Sequence, residues 1–463
     1  MNLHLALLLA YSVGLVALGL WIGRTVKGAK DFFVAGRGLG PGLIFSTLLA
    51  ANIGAGSTVG ATGLGYRDGL SAWWWVGSAG AGSLILAFWV GPAMRRLAAA
   101  HDLRTVGDYL EMRYGPSVRG IVALLLWFGS LSIVAGQLIA ISSILNVAAG
   151  VPKWTGCIIG GVLITIYSSA GGLKSGAWVN MVQLTVKLAG FAIALPLALS
   201  AVGGWPALRA MPVPAGDYWN FWSGGRSGVV YLAMLGPAFV VSPGLLQKLY
   251  GARDDRAVRL GVGLNAAGLL SYAIIPVVLG MIARLRFPQL ASPDLALPTI
   301  LMYGLPLAIG ALGLAAVFSA ELSAADAALF MITTSMSQDL YKRFVAPRSD
   351  EARILLVARV TTVIAGAVST AIAIVSPTII GVLSIFYTLL GVCLFVPILG
   401  GLYVRRASTT EALAAIAAGV AVMLWVHVTT AGAGYGPLTP ALAGILAACA
   451  AFVIVLGLRR QAA

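Results

Sequence analysis

The sequence is poor in charged residues, in acidic residues and in cysteine. Only 10% of its 463 residues are charged, 59% are hydrophobic, and the 30 basic residues outnumber the 15 acidic ones. The 3 cysteines lie singly in apolar runs without metal-binding or redox spacing, which argues against a zinc site or a disulfide framework. The longest polar connections, about 95–117 and 203–226, leave no room for a soluble domain.

The chain consists mainly of apolar runs, many of them longer than the roughly 20 residues that a helix needs to cross a bilayer. They predict an all-α integral membrane protein, one domain over residues 1–463 with about thirteen spans. The first span lacks a small-residue cleavage site and is followed by Arg24, Lys27 and Lys30, so it is predicted to be a retained leading helix. The predicted spans are 3–23, 41–66, 71–94, 118–149, 153–171, 176–203, 227–250, 258–283, 304–337, 352–375, 379–404, 410–430 and 439–458.

Lysine and arginine are concentrated in the connections that share one side of the membrane if the N-terminus lies outside. The positive-inside rule therefore predicts a cell inner membrane protein with its N-terminus outside and its C-terminus in the cytoplasm. Contact with anionic lipid headgroups explains the net charge of +15 and requires no nucleic acid partner. The basic cytoplasmic residues would be those of 24–37, 95–119, 248–259, 342–359, 405–406 and 459–460, together with Lys174.

Two apolar segments contain helix breakers. The second span, LLAANIGAGSTVGATGLGY, carries five glycines, and the seventh, LGPAFVVSPGLLQKLY, carries Pro237, Pro243 and Gly244. Proline removes a backbone donor and glycine lowers the cost of unwinding, so both helices are predicted to be discontinuous. Close helix packing through small residues is the alternative interpretation of the glycines.

The two interrupted segments begin five spans apart, which favours the breaks over simple packing. With the leading helix 3–23 set aside, the chain divides into a five-helix repeat at 41–203, an inverted second repeat at 227–404 and two accessory helices at 410–458. Broken helices at matching places in inverted repeats are typical of secondary transporters with a site at the membrane midplane.

Two carboxylates, Glu321 and Asp326, lie inside one apolar segment, VFSAELSAADAALFMITTSMSQDLYKR. An ionised carboxylate at the bilayer centre costs about 2.5–3.5 kcal/mol on insertion scales, so each requires a proton, a cation or water. Their offset puts them about 140 degrees apart around a helix, so they are not expected to share a proton.

Several motifs resemble those of the sodium/solute symporter family, which includes the sodium/glucose cotransporters and the bacterial proline and sialic acid symporters. In chain order they are DFFVAGRGLG, AANIGAGSTVGATGLGY, TVGDYLEMRYG, SSAGGLKSGAWVNMVQ and SAELSAADAALFMITTSMSQDLYKR, and they extend over nearly the whole chain. The resemblance implies the LeuT-like fold of two inverted five-helix repeats with an additional leading helix.

The resemblance also implies a sodium site between the first and eighth core helices. Its ligands would be the carbonyl oxygens of Ala50, Ile53 and Ala320 and the hydroxyl of Ser323. Oxygen ligands without full charge suit an ion that must bind and then leave. The family's second hydroxyl is missing, because the next residue is alanine. Asp326, three residues after Ser323, is predicted to supply an oxygen in place of the missing hydroxyl.

Further family positions concern coupling. The aspartate that holds a second sodium in some members corresponds to Asn180, so at most one sodium is expected. Lys187 lies on the same face of that helix, and Asp326 is its predicted partner. An alternative is proton coupling through Lys187 and Asp326, as in transporters of this architecture whose lysine ammonium takes the place of sodium. Glu321 has either a structural hydrogen-bonding role or a functional one.

The solute is expected beside the two unwound turns, where exposed backbone offers polar partners. Gln137 and Tyr387 are further candidates, and the tryptophans at 73–75 are interpreted as an interfacial belt. The predicted solute-binding residues are Gly54, Ser57 and Thr58 in the first turn and Phe239, Ser242 and Gly244 in the second.

Taken together, the residues and the resemblance predict a secondary active transporter that imports a small polar organic solute with sodium by alternating access. Sodium would be its coupling ion, and membrane lipid and the solute its partners. No enzymatic chemistry, nucleic acid or obligatory protein partner is implied. The alternatives are the proton-coupled transporter and a membrane sensor that retains the transporter fold.

Overall fold

The computed structural model describes residues 38–169, 173–213, 217–224 and 227–461, together with a few isolated positions before residue 38. Side chains at 167, 169, 173–182 and 460–461 are outside that description. The predicted leading helix at 3–23 and most of the motif DFFVAGRGLG therefore lie outside the described residues.

The first half of the described chain is mainly helical and contains one short hairpin. Its two strands, β1 (Ser223–Gly224) and β2 (Ser227–Gly228), pair antiparallel after the helices. The helices are α1 (Pro41–Asn52), α2 (Ala61–Asp68), α3 (Trp73–Ile85), α4 (Gly91–Ala100), α5 (Val106–Tyr114), α6 (Pro116–Ala149), α7 (Lys153–Ser169), α8 (Leu173–Ala201) and α9 (Gly204–Arg209).

The second half contains ten further α-helices. These are α10 (Tyr231–Val241), α11 (Pro243–Tyr250), α12 (Asp255–Tyr272), α13 (Ile274–Arg286), α14 (Ala296–Tyr303), α15 (Leu307–Thr334), α16 (Glu351–Val375), α17 (Ile379–Tyr403), α18 (Thr409–Thr429) and α19 (Pro440–Gln461). Wider π-helical turns continue some helices at Gly56–Gly60, Leu86–Val90 and Ser335–Val345, and 3₁₀ turns occur at Gly69–Ala72 and Pro293–Leu295.

Each predicted span from residue 41 onward coincides with one of these helices or with a consecutive pair. In the part of the chain that is described, ten helical stretches are long and apolar enough to cross a membrane, and α1 and α7 are shorter apolar helices. Large apolar side chains such as Phe88, Val162 and Leu356 are more than half exposed on the outside of the bundle. Such an exterior suits lipid rather than water.

Both predicted breaks are present. α1 ends at Asn52, Ile53 leaves the helical region with φ −90° and ψ 86°, and helical turns resume at Gly56. α10 ends at Val241, and Ser242 adopts φ −55° and ψ 119° ahead of Pro243, which opens α11. The second break follows from proline chemistry, because a residue before proline is pushed out of the α region.

The two five-helix units, α1–α8 and α10–α17, pack in equivalent ways. The main contacts between helices have counterparts when the helices of one unit are replaced by the matching helices of the other. α1 and α2 pack on α12 and α13, as α10 packs on α3. α8 packs on α15 and α1, as α17 packs on α6 and α10. The pairs α6 with α15 and α7 with α16 map onto themselves, as expected on a pseudo-twofold axis. The predicted fold of two repeats with broken first helices is confirmed, and α18 and α19 pack on each other and on α17.

Candidate functional site

The break between α1 and α2 is held open by side chains from its surroundings. The N–H of Ala55 donates to Oε1 of Gln137 on α6 at 2.8 Å. The Ser57 hydroxyl donates to the carbonyl of Asn52 at 2.8 Å and accepts from the N–H of Gly54 at 3.0 Å. These bonds satisfy backbone groups that the missing helical turn leaves free, so the unwound backbone is stable inside the bundle.

Glycine is required at position 54. A Cβ there would lie 2.4 Å from the Cβ of Ala324 on α15 and 2.9 Å from Oε1 of Gln137. The unwound segment can approach α15 this closely only without a side chain. The contact puts the neighbouring carbonyl groups of the broken helix beside α15.

Three of the predicted sodium ligands meet at this contact, together with a lysine. Nζ of Lys187 donates to the carbonyl of Ala50 at 2.7 Å and to that of Ile53 at 3.2 Å. The Ser323 hydroxyl donates to the same Ala50 carbonyl at 3.3 Å. Ala320, the fourth predicted ligand, is fully buried one turn before Ser323. The site collects carbonyl oxygens around one cation, and that cation is the lysine ammonium.

Glu321 is fully buried next to this site. Its Oε1 accepts from the Thr58 hydroxyl at 2.7 Å, and that hydroxyl also contacts the carbonyl of Gly54 at 3.0 Å. Oε2 of Glu321 has no hydrogen-bond partner among the described residues. Lys187 is close enough to interact with Glu321 electrostatically. The lysine and the broken helix therefore compensate this carboxylate.

The predicted pairing of Lys187 with Asp326 is wrong. Asp326 lies beside Ser168 of α7 and interacts with Lys248 of α11, whose Nζ donates to the carbonyl of Thr47 at 3.1 Å. Two carboxylates about 140 degrees apart and about 7.5 Å apart along a helix face different neighbours. Asp326 therefore does not complete the site at Ala50, contrary to the prediction that it replaces the missing hydroxyl.

A cavity of about 330 Å³ opens on the other side of the unwound backbone. It runs between the two helix breaks and on toward the end of the bundle where α15 ends and α16 begins, with Thr333 and Arg359 in its wall. Five of the predicted solute-binding residues line it, namely Gly54, Ser57, Phe239, Ser242 and Gly244. Thr58 does not line it, because its hydroxyl is turned toward Glu321.

Aromatic rings line the cavity at the end that is opposite to α16. The Tyr387 ring lies 5.7 Å from that of Phe239 and 5.9 Å from that of Trp75, between centroids. Trp75 also packs edge-on against Tyr231 at 5.1 Å. Trp75 therefore belongs to the cavity wall rather than to an interfacial belt, whereas Trp74 donates its indole N–H to the Phe221 carbonyl.

Lys248 is a residue of this region that the sequence pattern does not indicate. The charge pattern assigns it to a cytoplasmic connection, but it is 7% exposed and lines the cavity. Its signal was an isolated lysine among apolar residues after the second break. Gln137 and Tyr387, further candidates in the sequence, both line the cavity. Asn180 lies in α8, and its side chain is outside the described residues.

A charged cluster lies next to α5, at the end of the bundle where α15 ends. Arg119 of α6 pairs with Asp108 at 2.8 Å, with Glu111 at 2.8 Å and with Asp339 at 2.6 Å. Burial alone would raise the pKa of Glu111, but the guanidinium groups of Arg343 and Arg119 outweigh it and hold that pKa below its ordinary value. The cluster ties α5, α6 and the end of α15 together.

The fold and the site define a secondary transporter: broken helices in paired repeats enclose a cavity, and a cation site shares their backbone. The profile of the "Sodium:solute symporter family" matches residues 32–419, and the chain belongs to that family. The predicted family is thereby confirmed, as is sodium as the ion that the family couples to transport.

Similarity to individual proteins extends over almost the whole chain. The sodium/iodide cotransporter of Homo sapiens is 28% identical over 91% of this chain and 68% of its own length. The sodium/glucose cotransporter of Vibrio parahaemolyticus is 23% identical over 92% of this chain and 81% of its own. A solved Na⁺-coupled sialic acid symporter, in a substrate-bound outward-open state, superposes with a TM-score of 0.81 at 18% identity, over 99% and 98% of the two chains.

Proposed function

We propose that the chain imports a small polar organic solute across the cytoplasmic membrane together with sodium, by alternating access. One observation carries the proposal. The broken helix forms a wall of the cavity through Gly54 and supplies two carbonyls to the cation site, that of Ala50 in the last turn of α1 and that of Ile53 in the break. A cation bound on one side of this segment fixes the surface that the solute meets on the other. No covalent change of the solute is involved.

The cavity wall favours a solute that is polar but carries no net charge. Near the breaks the described polar side chains are neutral, namely Asn52, Ser57, Gln137 and Ser242. The aromatic rings of Trp75, Phe239 and Tyr387 offer an apolar face to the same volume. Charged groups that line the cavity, Lys248, Asp326 and Arg359, come from α11, α15 and α16. Cavities of this size suit small organic ligands held by a few polar groups.

The proposed orientation has the N-terminus outside and the C-terminus in the cytoplasm. The excess of lysine and arginine in the connections on the side of 342–359 supports it. The cavity leads toward Arg359, near the start of α16. In this orientation the end of the cavity at Arg359 lies toward the cytoplasm, and the aromatic rings of Phe239 and Tyr387 lie toward the outside.

Lys187 favours a second candidate, the proton-coupled version of the same transporter. Its ammonium already takes the carbonyl oxygens that sodium would use. A sensor that retains the fold has no comparable observation in its favour. The ion is therefore the part of the proposal that an experiment must decide first.

Uptake into proteoliposomes tests the proposal. The purified chain is reconstituted, and sodium and pH gradients are imposed separately with glucose, sialic acid or iodide, the solutes named for the similar proteins, as first probes. We expect accumulation driven by inward sodium, with a neutral sugar favoured over the two anions. Accumulation that follows pH alone would establish the second candidate. If a broad panel of polar solutes responds to neither gradient, coupled transport is refuted.

The matched variants for this assay are G54A and G457A. Gly54 has no room for a Cβ, whereas a Cβ on Gly457 in α19 would meet no atom within 4 Å. Loss of uptake in G54A with retention in G457A would assign transport to the unwound segment. Equal uptake by both variants would contradict that assignment.

A further inference from the structure

The cation site beside the broken helix contains a cation that belongs to the chain itself. Lys187 is 0% exposed, and its ammonium donates to two carbonyl oxygens, those of Ala50 and Ile53. Both carbonyls belong to the unwound end of α1, whereas Lys187 belongs to α8. The ammonium therefore joins two helices of the first repeat at the point where α15 also contacts them.

Among the described residues around Lys187, one carboxylate compensates its positive charge. Glu321 is the carboxylate that interacts with Lys187, and Asp326 interacts with Lys248 instead. Sodium and an ammonium on the same carbonyl oxygens would repel each other at short range in a medium of low dielectric constant. The two cations therefore exclude each other.

We propose that the ammonium of Lys187 is a tethered competitor of sodium: it occupies the carbonyl oxygens of Ala50 and Ile53 when sodium is absent and must leave before sodium binds. The inference rests on the proposed function and adds to it a competition between the lysine ammonium and sodium for the same oxygens. The flexible four-carbon side chain of Lys187 allows its ammonium group to move away from the carbonyl oxygens. After sodium has left, the returning carrier keeps its unwound carbonyls and Glu321 compensated without an external ion.

The missing hydroxyl at position 324 agrees with such a competitor. A site with fewer oxygen ligands binds sodium less tightly, so the ammonium can displace the ion. Ser323 donates to the Ala50 carbonyl in the described conformation. Sodium in this site would instead face the oxygen lone pairs of that hydroxyl, which requires it to rotate.

Sodium binding by K187M tests the competition directly. The full-length chain in detergent micelles is titrated with sodium chloride against potassium chloride at constant total salt, and the sodium-specific rise in unfolding temperature gives an apparent affinity. Without the ammonium, both carbonyls lose their cationic donor and Glu321 lacks a counter-charge. We expect sodium to bind K187M at least about tenfold more tightly than the wild type.

Two further variants accompany K187M: K187Q as an alternative at the same position and K153M as a control. Glutamine removes the charge but keeps an N–H donor, so K187Q replaces K187M if that variant does not fold, and the same tightening is expected. Lys153 also donates to a helix-end carbonyl, that of Ser376, but far from the site. K153M should therefore bind sodium as the wild type does.

The outcomes separate this inference from the proposed function. Sodium affinity that is unchanged or weaker in both Lys187 variants overturns the competition, even where sodium still drives uptake. The competition is supported if sodium raises the unfolding temperature of K187M but not that of the wild type. If neither responds to sodium, the competition is overturned, and uptake driven by pH then preserves the transporter while changing its ion.

Discussion

The buried pair of Lys187 and Glu321 gives the sharpest stability prediction. Removing one member of a directly paired buried ion pair costs about 3–5 kcal/mol. Lys187 interacts with Glu321 electrostatically but forms no salt bridge with it among the described residues, so a smaller cost of about 1–3 kcal/mol is expected. Both side chains are 0% exposed, so water cannot solvate the remaining charge. K187M and E321L should each lower the free energy of unfolding by about that amount. In E321L the Thr58 hydroxyl keeps its contact with the Gly54 carbonyl, so the loss comes mainly from charge.

The double variant K187M/E321L distinguishes two interacting charges from two independent residues. With both charges removed, we expect it to be more stable than either single variant, with a coupling of about 0.5–3 kcal/mol. Unfolding in detergent micelles titrated with SDS gives the three free energies.

The matched control pairs K187M with D326L. Asp326 interacts with Lys248, so the effects of these two substitutions should add. Additive effects in K187M/E321L, or strong coupling in K187M/D326L, would refute the assignment of charge partners.

Three further predictions concern the unwound segment and the charged cluster. G54A should lose solute binding in a thermal-shift assay, because its Cβ would lie 2.4 Å from that of Ala324; retained binding would contradict the tight contact. Q137L should lower the free energy of unfolding by about 1–3 kcal/mol, since the Ala55 N–H loses its acceptor, and an unchanged unfolding midpoint would count against this. The folded state lowers the pKa of Glu111, so the stabilising effect of this carboxylate is complete above its ordinary pKa of 4.5 and is lost as the pH falls through the lower folded value. E111Q should therefore reduce the loss of unfolding free energy on acidification.

Features that depend on local composition were predictable from the sequence. The break at Ser242 follows from Pro243, and the break after Asn52 from a glycine-rich run that cannot hold a helix as strongly as its neighbours. The division into two repeats followed from the spacing of these breaks. Ala50, Ile53 and Ser323 were brought together as the family resemblance implied.

Features that depend on which way a helix faces were not predictable. Knowing that α8 and α15 touch does not decide whether Glu321 or Asp326 meets Lys187, because that depends on the rotation and tilt of both helices. Lys248 illustrates a related difficulty, since a lysine near a span end usually reaches the headgroups. Here the break at Ser242 turns α11 so that the side chain faces the cavity. Sodium ligation by Ala50, Ile53, Ala320 and Ser323 and the role of Asn180 stay predictions.

Reciprocal binding of sodium and solute tests most directly whether the unwound segment couples the two sites. Once a transported solute is identified, its affinity is measured with and without saturating sodium, and the affinity for sodium with and without saturating solute. Coupling through the shared backbone predicts that each ligand tightens the other by the same factor, and that S323A reduces this factor. Affinities for sodium and solute that are independent of each other would contradict coupling through this segment.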